Sequence, residues 1–146
     1  MPTHADCCTL PYTQEQLFNL VADVEKYPEF LPWCQKLEVI KRENNEVIAV
    51  VTVGAGFFSE TYTCKVQLTP YQRIDVRYLE GPFKHLNNHW QFNPKSDGST
   101  EIDFFIDFDF HSGFFQKAFE MIFKEAVHHL MSAFTNRAKE LYTDKK

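Results

Sequence analysis

The sequence has little of what usually announces a chemistry. Its four cysteines, Cys7, Cys8, Cys34 and Cys64, include no C-x-x-C pair, and adjacent Cys7 and Cys8 point to opposite faces of any strand. That spacing supports neither structural zinc nor a disulfide framework, and it predicts reduced, partly buried thiols in a reducing compartment. No basic run is longer than Lys145-Lys146, and the net charge is −5. Nucleic acid is held by clustered cations that displace counterions, so no specific nucleic-acid binding is expected. No apolar run reaches the ~20 residues that span a bilayer. The N-terminal MPTHADCCTLPY has neither a basic start leading into an apolar stretch nor an Arg/Ser-rich amphipathic character. A nucleophile beside a base, a glycine-rich phosphate loop and a zinc triad are also missing. A soluble chain that stays where it is made is therefore expected.

Aromatics are what the chain does have. Phenylalanine supplies 15 of the 146 residues and outnumbers leucine. Flat, bulky rings suit a sheet facing something, or a cavity lining, better than a tight helix bundle. The length predicts one domain, residues 1–146, burying roughly 70% of its unfolded surface.

Residues 3–11 read as a strand. Thr13 and Gln16 have capping-box spacing, Tyr12 can staple onto Leu17, and Leu17, Leu20, Val21 and Val24 continue an apolar helical face. Pro28 then ends or restarts that helix. From Leu37 the period becomes alternating. Strands are predicted over 36–42, 47–54, 58–69, 73–80, 86–93 and 100–110, punctuated by Glu43–Glu46, Gly54/Gly56, Pro70–Gln72, Gly81-Pro82 and Ser96–Ser99. In the last strand Ile102, Phe104, Ile106, Phe108 and Phe110 share one face, while Glu101, Asp103, Asp107 and Asp109 share the other. After Ser112 a helix over 113–142 carries Phe115, Phe119, Ile122, Phe123, Ala126, Leu130, Phe134 and Leu141 at helical spacing. Its length of roughly 40–45 Å crosses the face of a sheet.

These elements make an α+β architecture: a curved seven-stranded antiparallel sheet around a long C-terminal helix, with one or two short helices after the first strand. Curvature holds the middle of the sheet off the helix and leaves a gap to be filled or left hollow. VEKYPEFLPWC, residues 24–34, sets Pro28 and Pro32 among Tyr27, Phe30, Leu31 and Trp33. It reads as the lid of that hollow.

The order of elements resembles the START-like helix-grip superfamily, the polyketide cyclase/dehydratase and lipid transport group. ADVEKYPEFLPWC (22–34), EGPFKHLNNHWQF (80–92) and FKEAVHHLMSAFTNRAKELY (123–142) are similar to the coenzyme Q-binding protein family. The relatives of that family include the bacterial ribosome-association toxin, and LNNHW looks nearer the quinone-binding branch. The resemblance implies non-enzymatic binding of ubiquinone, or a related prenylated quinone or lipid, in an apolar tunnel. No other cofactor is required, and the ligand would serve respiratory electron transport or quinone biosynthesis. It also implies a respiratory-chain or biosynthetic partner; a transient membrane contact through phenylalanine tips would suit delivery, while the acidic charge argues against adsorption driven by anionic lipid. The rival readings are a ribosome-directed regulator of the toxin type and a cyclase or dehydratase acting on a small aromatic or polyketide substrate. The expected location is bacterial cytoplasm, at most peripheral to the inner face of the membrane, or the matrix side of mitochondria for a processed eukaryotic form.

The expected lining is Phe30, Leu31 and Trp33 from the lid, Tyr62 and Asn88, Trp90 and Phe92 from the middle strands, Phe104, Ile106 and Phe108 from the last strand, and Phe119, Ile122, Phe123 and Phe134 from the helix. Each ring alone is as readily a core filler; so many on facing surfaces rarely close without a gap. Polar orientation of a head group falls to Tyr62, Asn87, Asn88, His89 or Trp90. A fifty-carbon tail needs around 1,500 Å³ at ~30 Å³ per carbon, beyond an ordinary pocket of about 300–1,000 Å³, so part of the tail should emerge. His85 and His89 lie about 13 Å apart on a strand and cannot share a metal. Glu125 and His128 match only half of a di-iron motif. Asp103, Asp107 and Asp109 read as a solvated edge. Phe57-Phe58, Phe83 and Phe114-Phe115 sit at tips, either touching a membrane or partner or tucked in.

Overall fold

The structure, a computed structural model, describes residues 3–55, 58–81, 83–110 and 116–142, without the side chains of Ala55, Phe58, Phe110, residues 116–120, Ile122 and Phe123. Strand β1 (Thr3–Leu10) leads to helix α1 (Gln14–Ala22), a 3₁₀ turn (Val24–Lys26) and the single helical turn α2 (Tyr27–Phe30). Six strands follow: β2 (Cys34–Glu43), β3 (Glu46–Ala55), β4 (Phe58–Thr69), β5 (Arg73–Glu80), β6 (Phe83–Pro94) and β7 (Thr100–Phe110). Helix α3 (Gln116–Tyr142) ends the described chain. The strands form one antiparallel sheet in the order β1-β7-β6-β5-β4-β3-β2. Every hairpin expected from alternation is present, and β1 closes onto β7.

Local chemistry accounts for the boundaries. The Thr13 hydroxyl accepts from Gln16 N, and the Gln16 side chain accepts from Thr13 N, so both ends of the capping box are made. Its worth is about 1 kcal/mol. Pro28 sits in the first turn of α2, where the missing N–H costs nothing. The Leu31 amide then closes that turn on Tyr27 O, and Cys34 N bonds Leu31 O as β2 begins.

On β7 the inward residues Ile102, Phe104, Ile106 and Phe108 are buried, as one apolar face on a core demands. Helix α3 buries Ala126, Val127, Met131, Phe134 and Ala138 against the sheet. Tyr142 donates to Gln16 O at 3.0 Å, tying the end of α3 to α1. Two expectations for the helix fail or fall elsewhere. Leu141 is 43% exposed rather than inward, because the inward stripe runs through Met131, Phe134 and Ala138. Ser112 and the start at 113 lie outside the described residues.

The ladder between β5 and β6 stops at Arg77 and Asn87. Beyond it β5 stays with β4 and β6 with β7, so the sheet splits. Tyr78 bridges the split: its hydroxyl accepts from Phe83 N at 3.0 Å, and its ring meets Phe83 edge-on. Phe83 is therefore tucked in, not an exposed tip, and is 1% exposed. Phe57, Phe114 and Phe115 lie outside the described residues, as does the side chain of Phe58.

Candidate ligand chamber

Between the sheet, α2 and α3 lies a chamber of about 130 Å³, within about 870 Å³ of empty space counted out to its open mouth. Leu31 and Trp33 close it from the lid, Ala126, Val127, Leu130 and Phe134 from α3, and Tyr62, Asn88, Trp90, Phe104 and Ile106 from the strands. Tyr27, Cys34, Leu37, Ala49, Val51, Cys64, Val66, Ile74 and Val76 complete most of the wall.

Eight expected residues are thus brought together: Leu31, Trp33, Tyr62, Asn88, Trp90, Phe104, Ile106 and Phe134. Three are not. Phe30 packs outside the wall, edge-on to Phe134 at 5.1 Å and beneath the Arg137 guanidinium at 5.0 Å. Phe92 lies on the inward face, but α1 covers it through Phe18, 5.8 Å away. Phe108 is claimed by the Phe83 cluster at the split. The side chains of Phe119, Ile122 and Phe123 lie outside the described residues. Tyr27, Cys34 and Cys64 were missed. The i, i+2 run Tyr62, Cys64, Val66 would have revealed Cys64, since Tyr62 already marked that face.

The wall is electrically quiet. Burial pushes the Cys34 thiol up to about 11 and Cys64 up to about 12. Burial also carries the phenols of Tyr27 and Tyr62 above their usual range. Both tyrosines keep some accessible surface, and both border the chamber. Tyr27 is anchored by its hydroxyl on Val21 O. Among the described residues the wall holds no carboxylate, imidazole, amine or guanidinium.

Among the described lining residues, Asn88 is the one that carries an amide side chain. Asn88 faces Ile106 on one side and Val76 on the other, and the row continues through Val66 to Val47. Its Oδ1 is buried without a hydrogen-bond partner. Asn88 and Val76 also border a groove of about 320 Å³ on the outer face, with Lys65, Arg77, Asn87, His89 and Phe105.

The outer face explains the remaining polar candidates. His89 stacks on Phe105 at 5.3 Å, and burial first, then Arg73, lowers its pKa. His85 Nε2 lies 3.3 Å from Asp107 Oδ2, but out of line for a hydrogen bond. Asp103 accepts from Asn93 and Asp107 from Thr3. Glu125 pairs with His129 at 2.9 Å, not with His128, which packs edge-on against His4. Cys7, Glu101 and Asp103 are the one group of three metal-type side chains found together among the described residues. There the Cys7 thiol donates to Glu101 and stays protonated up to about 12, its pKa raised chiefly by that bond.

The chain's residues 10–135 match the family described as polyketide cyclase / dehydrase and lipid transport. The chain belongs to this family. Among its relatives, the ribosome association toxin RatA of Escherichia coli (strain K12) is 38% identical over 98% of this chain and 90% of its own length. The mitochondrial coenzyme Q-binding protein COQ10 homolog B of Xenopus laevis is 27% identical over 95% of this chain, which spans 59% of that relative. These identities run in the reverse order to the one expected from LNNHW. The solution structure of the 18 kDa protein CC1736 from Caulobacter crescentus shares 35% identity, with a TM-score of 0.75 over 99% of this chain and 100% of that one. The family's description joins cyclases to lipid carriers, so membership leaves the ligand to be argued from the chamber. No described helix is long and apolar enough to cross a membrane.

Proposed function

We propose that the protein holds a prenylated quinone, ubiquinone or a close relative, in this chamber and passes it on unaltered to respiratory or quinone-biosynthetic enzymes. The observation that carries the reading is the wall itself: largely apolar, roofed by a proline-framed turn and, among the described residues, without a group that exchanges protons at neutral pH. A cyclase or dehydratase needs a placed acid or base, and the described wall offers none. The names of COQ10 homolog B and of the family, with its lipid transport, support the same direction. At about 130 Å³ the empty chamber matches one six-membered ring, since a cavity of ~150 Å³ takes up benzene. A tail must therefore displace the lid or run out through the mouth.

Native mass spectrometry of gently purified protein tests this. A quinone-sized adduct is expected on the wild type and is lost in Ala126→Phe, which fills the chamber. Apoprotein alone, under conditions that keep other lipid complexes intact, would sink the reading.

A second reading rests on the 38% identity to a ribosome association toxin. It places the function on the outer surface and makes the chamber incidental. Co-sedimentation of wild type and Ala126→Phe with ribosomal subunits separates the two, because surface binding is indifferent to a filled chamber.

A further inference from the structure

The geometry points to Asn88 as a polar anchor of the chamber, reading an oxygen on a neutral ring as carbonyl or hydroxyl alike. The inference rests on the chamber reading above. Among the described residues, three side chains carry a buried polar atom without a partner, and only Asn88 lines the chamber. An unpaired oxygen in an apolar row is a standing cost to the fold, and a leucine or valine would remove it. Such local violations belong at sites kept for binding rather than stability.

The chemistry of the amide sets the ligand class. A carboxamide presents an acceptor at one end and two donors at the other, and a half-turn about its last bond exchanges them. One end takes a ring hydroxyl; the other gives to a ring carbonyl. A carboxylate would select hydroxyl donors and an ammonium would select acceptors, and the described wall has neither. Trp90 and Phe104, centroids 4.6 Å apart, flank Asn88's position on β6 and its partner on β7, offering aromatic surface to a flat ring. The ligand is thus a neutral aromatic or quinonoid ring bearing an oxygen, and the chamber treats its oxidised and reduced forms alike. That property suits a carrier, which must release its cargo in whichever state it was received.

Three probes decide the matter by calorimetry under anaerobic conditions. They are a benzoquinone with one isoprene unit, its hydroquinone, and an oxygen-free arene of the same size and tail. Quinone and hydroquinone should bind within about threefold of each other, and each about tenfold tighter than the arene, one hydrogen bond's worth. Asn88→Leu and Asn88→Ala should erase that preference, leaving arene affinity unchanged or higher. Asn88→Leu should also melt at least about 3 °C higher when empty. Equal wild-type affinity for arene and quinone, a preference that survives both substitutions, or a more than tenfold split between quinone and hydroquinone overturns the anchor alone. Failure of all three probes to bind overturns the chamber reading, and the anchor falls with it.

Discussion

Arg137 on α3 donates through Nη2 to Glu29 Oε1 on α2 at 2.6 Å, across 108 positions of sequence. The same guanidinium lies over Phe30 at 5.0 Å and donates to Glu140 at 3.3 Å. Arg137 is 16% exposed and Glu29 51%, so the ion pair itself is partly screened and worth no more than about 1 kcal/mol. The stacking on Phe30 adds about 0.5–1 kcal/mol. Together they latch the lid to the helix that forms the opposite wall.

Arg137→Ala should cost about 1–2 kcal/mol in denaturant unfolding, whereas Glu29→Gln should cost less than about 1 kcal/mol. Both should speed release of a bound quinone, with Arg137→Ala faster. Stopped-flow displacement measures it. Unchanged release in Arg137→Ala would show that ligand does not pass beneath α2.

Gly81 has φ of +146°, and a Cβ there would meet Tyr62 Cβ at 2.5 Å and the Tyr78 hydroxyl at 3.2 Å. Tyr62 lines the chamber and Tyr78 bridges the split between β5 and β6. Gly81→Ala combines backbone strain of order 1–3 kcal/mol with a clash against backbone-proximal atoms that cannot swing away. Gly98 has φ of +92° and nothing within 4 Å, so Gly98→Ala carries strain alone. The expected result is a clearly larger loss of melting temperature for Gly81→Ala, accompanied by weaker quinone binding. Equal losses would show that the contact with Tyr62 relaxes freely.

Alternation made the sheet legible in the sequence, because each inward residue declares its face two positions on. Distance along the face is not encoded that way. Phe92 and Phe108 share the inward face with Trp90 and Phe104, yet α1 covers one and the Phe83 cluster absorbs the other. Only the tertiary placement of α1 and the split in the sheet decide that. The α3 stripe read from spacing included Ala126 and Phe134, both buried, but not Val127, Met131 and Ala138, whose burial follows from the helix's rotation against the sheet. Asn88 was legible as a candidate. Its solitude was not, since that depends on which strands flank it.

Alkaline pH should weaken the fold through the chamber. Burial raises Cys34 to about 11 and Cys64 to about 12, while an unfolded thiol ionises near ~8.5. A raised folded pKa favours the folded state fully below the unfolded pKa, and that stability is lost as pH climbs toward the folded value. The loss should therefore begin near pH ~9 and continue upward, with Tyr27 and Tyr62 adding in the same sense at higher pH. Denaturant midpoints between neutral and strongly alkaline pH measure it, and Cys34→Ala/Cys64→Ala should flatten the curve. The same protonation makes both thiols poor nucleophiles toward electrophilic rings. Alkylation of Cys34 or Cys64 in the native protein near neutrality, at the rate of a free thiol, would contradict both expectations.

Tail length is the sharpest test of what the chamber is for. A space of about 130 Å³ takes a ring and little else, so each added isoprene must find apolar surface along the route out. Each buried methylene contributes about 0.8 kcal/mol before ordering costs. If the tail runs under the lid past Leu31 and Trp33, affinity should rise by at least about tenfold from one isoprene unit to three. It should then level off once further units reach solvent. Leu31→Ser, at a residue 3% exposed and on the chamber wall, should blunt that rise while leaving one-unit binding nearly intact. Its fold cost of about 2–5 kcal/mol is monitored separately by melting. An affinity that stays flat from one unit to three would mean that the tail never touches the protein, and the exit beneath the lid would have to be abandoned.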